Sequence, residues 1–305
     1  MGSSAESQRR RATVGLICAL CGAVGFAFKS VLIKAAFRYG VDATTLLALR
    51  MLYSLPIFVV MGWYAARRQP RRPRGRDVAE LALLGCLGYY LASYLDFLGL
   101  KYISAALERM ILFIYPTLVV LMTAAWKRER ISAHILLALL LSYAGIAVAV
   151  GHDVRFGNAA DVLRGGVLVF ACAVSFAAYL MRVGPQLARF GSTFVSAWAT
   201  TVAALLAICQ FVLLRPLAAL AQPWQVQWLS VAMAVFATAV PVWLVAEAIR
   251  RLGAGPTAII GSLGPVLTLL LAWSLLGESL SALQLLGAAL VVAGVWLVGR
   301  ARHSQ

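Results

Sequence analysis

Ten apolar runs, separated by short polar turns, leave this chain few places to go except across a lipid bilayer. They fall near residues 12–36, 43–65, 78–99, 103–126, 131–151, 163–183, 192–214, 226–249, 255–276 and 282–300. A helix needs about 20 residues to cross a hydrocarbon core about 30 Å thick, and each run is roughly that long. In lipid every backbone polar group needs an internal partner, so such runs are expected as helices. Hydrophobic residues make up 62% of the 305 positions and charged residues 12%, against about 45–50% and about 25% in soluble domains. That balance excludes a water-soluble enzyme, a disulfide scaffold and a disordered chain. A formal net charge of +16 would point to nucleic acid if it covered a soluble face. Here the basic residues lie between apolar runs, so no nucleic-acid partner is expected.

The same basic residues orient the chain. With the N-terminus in the cytoplasm, Arg9–Arg11, the cluster Arg67–Arg76, Lys127, Arg128, Arg130, Arg182, Arg189, Arg250, Arg251, Arg300 and Arg302 fall inside. Lys34, Arg38, Lys101, Arg155, Arg164 and Arg215 fall outside. A bias of about threefold over short loops predicts both termini, 1–11 and 301–305, in the cytoplasm. The first run continues past Phe28, longer than the core of a cleavable signal. Gly2 is followed by Glu6 where N-myristoylation calls for Ser or Thr. Neither processing is expected.

The chain also repeats itself. An offset of 149 residues lays Ala105 on Ala254, Ile111 on Ile260, Pro116 on Pro265, Glu129 on Glu278, Ser132 on Ser281 and Gly145 on Gly294. An offset of 151 lays Gly15 on Gly166, Cys21 on Cys172, Arg38 on Arg189 and Gly40 on Gly191. Two five-helix repeats, 12–152 and 153–300, are therefore expected, and an odd number of spans inverts the second. Inverted repeats of this kind build secondary transporters, with the site near the midplane. Pro116 and Pro265 fall within the fourth and ninth spans, where a proline frees a carbonyl that a cavity or neighbour must satisfy. Ser281 and Gln284 form a helix-capping pattern, and Glu278 suits the tight turn before it.

Charges inside the spans each need a reason, since burying one costs about 2.5–3.5 kcal/mol on insertion scales. They are Lys29, Arg50, Asp96, Glu108, Arg109 and Glu247. Glu247 is explained by Arg250 and Arg251, one turn onward. The other five share one half of the first repeat and admit two readings. They neutralise one another, with Arg50 on Glu108 and Arg109 on Asp96, or they line a wet cavity. In a cavity, Lys29, Arg50 or Arg109 takes a substrate carboxylate or phosphate. Asp96 or Glu108 then holds an amine or a coupling proton. Tyr53, Tyr89, Tyr90 and Tyr94 are candidate pathway residues. Ala138, Ser142, Gly145 and Ala149, with Gly287, Val291 and Gly294, form small-residue stripes that permit close helix contact. That contact is either within one chain or in a homodimer through spans 5 and 10.

Catalysis finds little support. His134, His152 and His303 lie near span ends or beyond them, and Gly261-Ser262-Leu263-Gly264 has the wrong spacing for a Gly-x-Ser-Gly element. The five cysteines sit in apolar runs as packing residues, Cys18 and Cys21 included. No metal or cofactor is expected, and no nucleotide-binding loop exists to power a pump.

Several stretches carry a resemblance: LGAGPTAIIGSLGPVLTLLLAWSLLGESLSALQLLGAALVVAGVW at 252–296, LKYISAALERMILFIYPTLVVL from 100, GFAFKSVLIKAAF and DATTLLALRMLYSLP. They resemble EamA-type members of the drug/metabolite transporter superfamily. The resemblance implies ten helices around a central pathway in a bacterial inner membrane. It also implies secondary active movement of small polar metabolites, amino acids or related compounds, usually outward and by alternating access. The family pattern often has Glu-Pro where this chain has Gly264-Pro265. The competing readings are a structural or regulatory membrane protein with a neutralised charge network, and a membrane-embedded enzyme.

Overall fold

The computed structural model describes residues 2–69, 73–128, 133–252, 257, 260, 261, 263–278 and 281–303. Among them the chain forms ten helical rods and no strand. These are α1 (Gly2–Phe37), α2 (Ala43–Arg67), α3 (Gly75–Leu100), α4 (Ala105–Lys127), α5 (Ala133–Phe156), α6 (Ala159–Phe190), α7 (Ser192–Leu214), α8 (Trp224–Leu252), α9 (Gly264–Leu276) and α10 (Ala282–His303). Eight are long and apolar enough to cross a membrane; in the last two the apolar parts, Gly264–Leu276 and Ala282–Leu297, are shorter. The predicted tail 1–11 is helical from Gly2, as an extension of α1. The start of the predicted ninth span, Glu129 and Ser132 lie largely or wholly outside the described residues.

Local chemistry sets the helix starts. The Asp42 carboxylate accepts from the Thr44 and Thr45 N–H groups at 3.0 and 3.2 Å, and the Ser104 hydroxyl accepts from Leu107 N–H at 3.0 Å. Asn158 does the same for Ala160 at 2.9 Å. Ser281 and Gln284 exchange side-chain bonds at 3.1 and 3.3 Å, closing the reciprocal cap that their spacing predicts.

Three of the rods, α3, α4 and α8, are not the continuous helices that their apolar runs suggest. α3 and α8 each contain a wide π turn, Cys86–Leu91 and Val235–Ala239. These turns occupy equivalent places under the 149-residue offset. Wide turns leave carbonyls to be satisfied by side chains: Leu87 O accepts from the Ser175 hydroxyl at 2.8 Å, and Met233 O from the Thr238 hydroxyl at 2.8 Å. α4 breaks at Phe113–Ile114 and restarts at Tyr115. Pro116 and Pro265 thus stand in the first turn of a helical segment rather than mid-helix. There the missing N–H would have had no partner in any case.

Packing follows a two-fold pattern. α2 lies on α7 and α5 on α10, while α1 on α8 matches α3 on α6 and α4 on α6 matches α1 on α9. Exchanging the first five helices for the last five maps this set of contacts onto itself. Large apolar side chains such as Leu213 and Trp126, both 83% exposed, face outward. Lipid, not water, is the solvent that suits such a surface.

The small-residue stripes are consumed within the chain. A Cβ on Gly145 would stand 2.5 Å from Gly287 O, and one on Gly287 would stand 2.7 Å from Gly145 O. A Cβ on Gly294 would collide with the Ser142 hydroxyl and Ala138 O. α5 and α10 therefore spend these faces on each other, and the stripe is not available to a second copy. Gly145→Leu is expected to destabilise the protein by about 1–3 kcal/mol or more. The loss should be visible as a lowered melting temperature in detergent, whereas Gly151→Leu, with open space around it, should melt near wild type.

Candidate functional site

Four helices bring the buried charges together. Lys29 and Ser30 come from α1, Arg50 from α2, Asp96 from α3, and Glu108 and Arg109 from the first half of α4. Ser104 caps that half, so Glu108 sits in its first turn, where the helix dipole favours an acid. Lys29 Nζ pairs with Asp96 Oδ2 at 2.7 Å, and the Ser30 hydroxyl donates to Glu108 Oε2 at 2.6 Å. One oxygen of each, Asp96 Oδ1 and Glu108 Oε1, is buried with no donor.

The pairing set out above for a self-neutralising network is not the one formed. Arg50 donates through Nε to the Thr238 hydroxyl of α8 at 3.1 Å, and its guanidinium lies 5.4 Å from the centre of the Phe97 ring. Its Nη1 has no hydrogen-bond partner, although the residue is only 6% exposed. Arg109 is 9% exposed and its Nε is buried without an acceptor. Among the described residues it donates no hydrogen bond and forms no ion pair. Its Nε lies 3.7 Å from where a Cβ on Gly264 would stand. Gly264 opens α9, so the guanidinium faces the second repeat at the position where the resemblance would often place a glutamate. Adjacent residues on a helix point about 100° apart, which sends Glu108 toward α1 and Arg109 toward α9. Lys29 takes Asp96 where α1 meets the second half of α3.

The remaining candidates lie apart from this cluster. Tyr90 and Tyr94 stack at 6.4 Å with their rings 7° from parallel, packed against the core shared by α1 and α2. No hydrogen bond joins them to the buried charges among the described residues. Tyr53 donates to Gln227, and Tyr89 faces the Tyr179 hydroxyl. Glu247 pairs with Arg251 Nε at 2.6 Å, the i,i+4 partner; the Arg250 side chain lies outside the described residues. Ser30 and Thr238 hold two of the key charges. A lone Ser or Thr in an apolar run gives no warning of such a role.

At the end of the bundle carrying the α1–α2 turn, a cavity of about 550 Å³ opens between Lys34, Arg38, Asp42, Lys101, Leu276 and Glu278. Lys34 Nζ donates to Ile103 O at 2.8 Å and the Arg38 guanidinium to Leu276 O. Glu278 accepts from Ala105 N–H at 3.2 Å. These bonds tie α1, the α3–α4 turn and the end of α9 together, about one and a half to two and a half helical turns from Lys29. Burial pushes the Glu278 carboxyl above its ordinary range, against the opposing bond from Ala105 and the Lys34 charge. Burial also works against the Asp42 carboxylate. There the Thr45 hydroxyl, two backbone N–H groups and the Arg215 charge prevail and hold it below its ordinary range.

Comparison with known proteins gives the chain its relatives. Residues 13–151 and 163–300 each match the EamA-like transporter family. The chain is 30% identical over 296 residues to the "Uncharacterized transporter YcbK" of Bacillus subtilis (strain 168), covering 94% of this chain and 93% of that protein. It is 29% identical over 274 residues to the "Probable terminal-alkyne amino-acid exporter" of Streptantibioticus cattleyicolor, covering 87% and 88%. A solved crystal structure covering 93% of this chain and 96% of its own superposes with a TM-score of 0.65 at 21% identity, a likeness of fold.

Proposed function

The chain belongs to the EamA-like transporter family, and on that premise we propose that it exports small zwitterionic metabolites, amino acids or close relatives, by secondary active transport. The protein is a multi-pass membrane protein; the bacterial inner membrane, with both tails in the cytoplasm, is the setting in which the reading places it. Substrate enters between the two repeats and alternating access carries it outward through the cavity near Lys34 and Arg38. No cofactor is required by this chemistry.

One observation carries the reading. Arg109, nine-tenths buried, donates no hydrogen bond to the described residues and faces Gly264 across the repeat boundary. A buried cation without a partner is costly. A transported carboxylate supplies the missing acceptor by a two-pronged bond that suits a guanidinium. A purely structural network would have closed on itself. Support for the amino-acid class comes from the exporter in Streptantibioticus cattleyicolor.

The test is flux in liposomes reconstituted with purified protein and a panel of labelled amino acids. At least one zwitterionic amino acid should exchange, and Arg109→Gln should raise its half-saturating concentration by tenfold or more, in line with about 2–5 kcal/mol for losing a buried charged contact. Full flux in a correctly folded Arg109→Gln protein defeats the assignment.

A further inference from the structure

We propose that the arginines at the α2–α3 connection form a binding site for the phosphate of an anionic phospholipid in the adjoining leaflet. The site is independent of the amino-acid reading above. It lies at the end of the bundle away from the Lys34–Arg38 cavity.

The last turns of α2 carry two matched pairs, each an aromatic residue followed four positions later by an arginine. The Arg67 guanidinium lies 3.7 Å from the centre of the Trp63 ring, and that of Arg68 lies 4.2 Å from the centre of the Tyr64 ring. Residues four apart share one helix face, and here all four are exposed. Arg68 also donates to the Tyr64 hydroxyl. A ring covers one flat face of a guanidinium, whose N–H donors point outward in its own plane. Stacking therefore orients the fork and leaves most donors free for phosphate oxygens.

Depth selects the partner. Four residues of helix rise about 6 Å, so each guanidinium stands about one turn beyond a ring of the kind that seats at headgroup level. Val59 and Val60, one turn further in, are exposed and suit lipid tails. A nucleic acid or an acidic protein has no use for that apolar flank.

Protein acids do not answer this charge. Among the described side chains at this end, Glu80 takes Arg182 through two bonds of 3.0 Å, and Asp77 takes Arg189. Glu247 takes Arg251 at 2.6 Å. Arg67, Arg68, Arg74 and Arg76 are exposed and form no ion pair among the described residues. The sequence adds Arg71 and Arg72 in the same connection. A cation in the last turn of a helix suits its dipole. That accounts for one arginine, not for a cluster with two of its members laid on rings. Basic clusters beside a membrane span attract anionic lipid.

The test uses the purified full-length protein in mild detergent. Native mass spectrometry with dioleoylphosphatidylglycerol and dioleoylphosphatidylcholine at equal concentration should show the anionic lipid retained and the neutral one shed. Arg67→Gln/Arg68→Gln should weaken retention about tenfold or more, as expected for two basic residues at a headgroup surface. Arg67→Lys/Arg68→Lys keeps the charge but loses the flat fork, and should weaken it about threefold or more. Arg155→Gln/Arg164→Gln removes equal charge from exposed positions at the opposite end and should retain wild-type affinity. Phosphatidylglycerol should also raise the melting temperature, while inorganic phosphate or a short oligonucleotide at the same phosphate concentration should not. Equal retention of both lipids, an unaffected glutamine or lysine pair, or equal loss in the distant pair overturns the site. Protection by phosphate or oligonucleotide alone overturns its assignment to lipid.

Discussion

Gly264→Glu is expected to abolish amino-acid transport while leaving the protein folded. A Cβ at this position meets only ordinary contacts, with Arg109 Nε at 3.7 Å and the Phe113 ring at 3.8 Å. The backbone therefore tolerates a side chain. A glutamate there would bring a carboxylate onto the guanidinium that otherwise awaits one from the substrate. Separating a buried ion pair costs about 3–5 kcal/mol, so a substrate competing with it would lose about a hundredfold to several thousandfold in apparent affinity. Gly264→Ala adds the same Cβ without a carboxylate and should retain flux within a few fold. Counterflow and thermal melting on the three proteins decide the matter. Normal transport by the glutamate variant would mean that Arg109 is not where the carboxylate binds.

Asp96→Asn should have the largest effect on stability. It leaves the Lys29 ammonium without the partner it holds at 2.7 Å, in a place where both side chains are largely or wholly buried. Removing one member of such a pair costs about 3–5 kcal/mol, whereas replacing both by neutral groups of similar shape is often tolerated. Lys29→Met/Asp96→Asn should therefore recover most of the melting temperature lost by the single variant. A single variant that melts like wild type would show that the pair contributes little.

These expectations separate what residue order conveys from what folding adds. The five intruding charges of the first repeat stand out in the chain because each interrupts a run that lipid would otherwise accept. Their partners do not. A self-neutralising network could pair Arg50 with Glu108 and Arg109 with Asp96, yet Lys29 takes Asp96 and Ser30 takes Glu108. A turn of a helix by some tens of degrees redirects a long side chain by several ångströms, more than a hydrogen bond allows. The π turns of α3 and α8 are likewise silent, being built from ordinary apolar residues such as Leu87 and Val235. The capping pair Ser281 and Gln284, by contrast, is readable in advance, because its bonds span only three residues.

Solvent choice is written in composition. Apolar runs of span length, basic loops and the echo of Pro116 in Pro265 commit the chain to ten helices in a bilayer and to two related halves. They do so because hydration and insertion energies act on each segment separately. Which charges meet, and that the glycine stripes of α5 and α10 close on each other rather than on a second chain, depends on how the helices are rotated and how near they approach. Those contacts come from residues far apart in the chain, and their energies change over fractions of an ångström. Only the packed bundle sets distances that fine, and the free face of Arg109 exists because Gly264 happens to lie opposite it there.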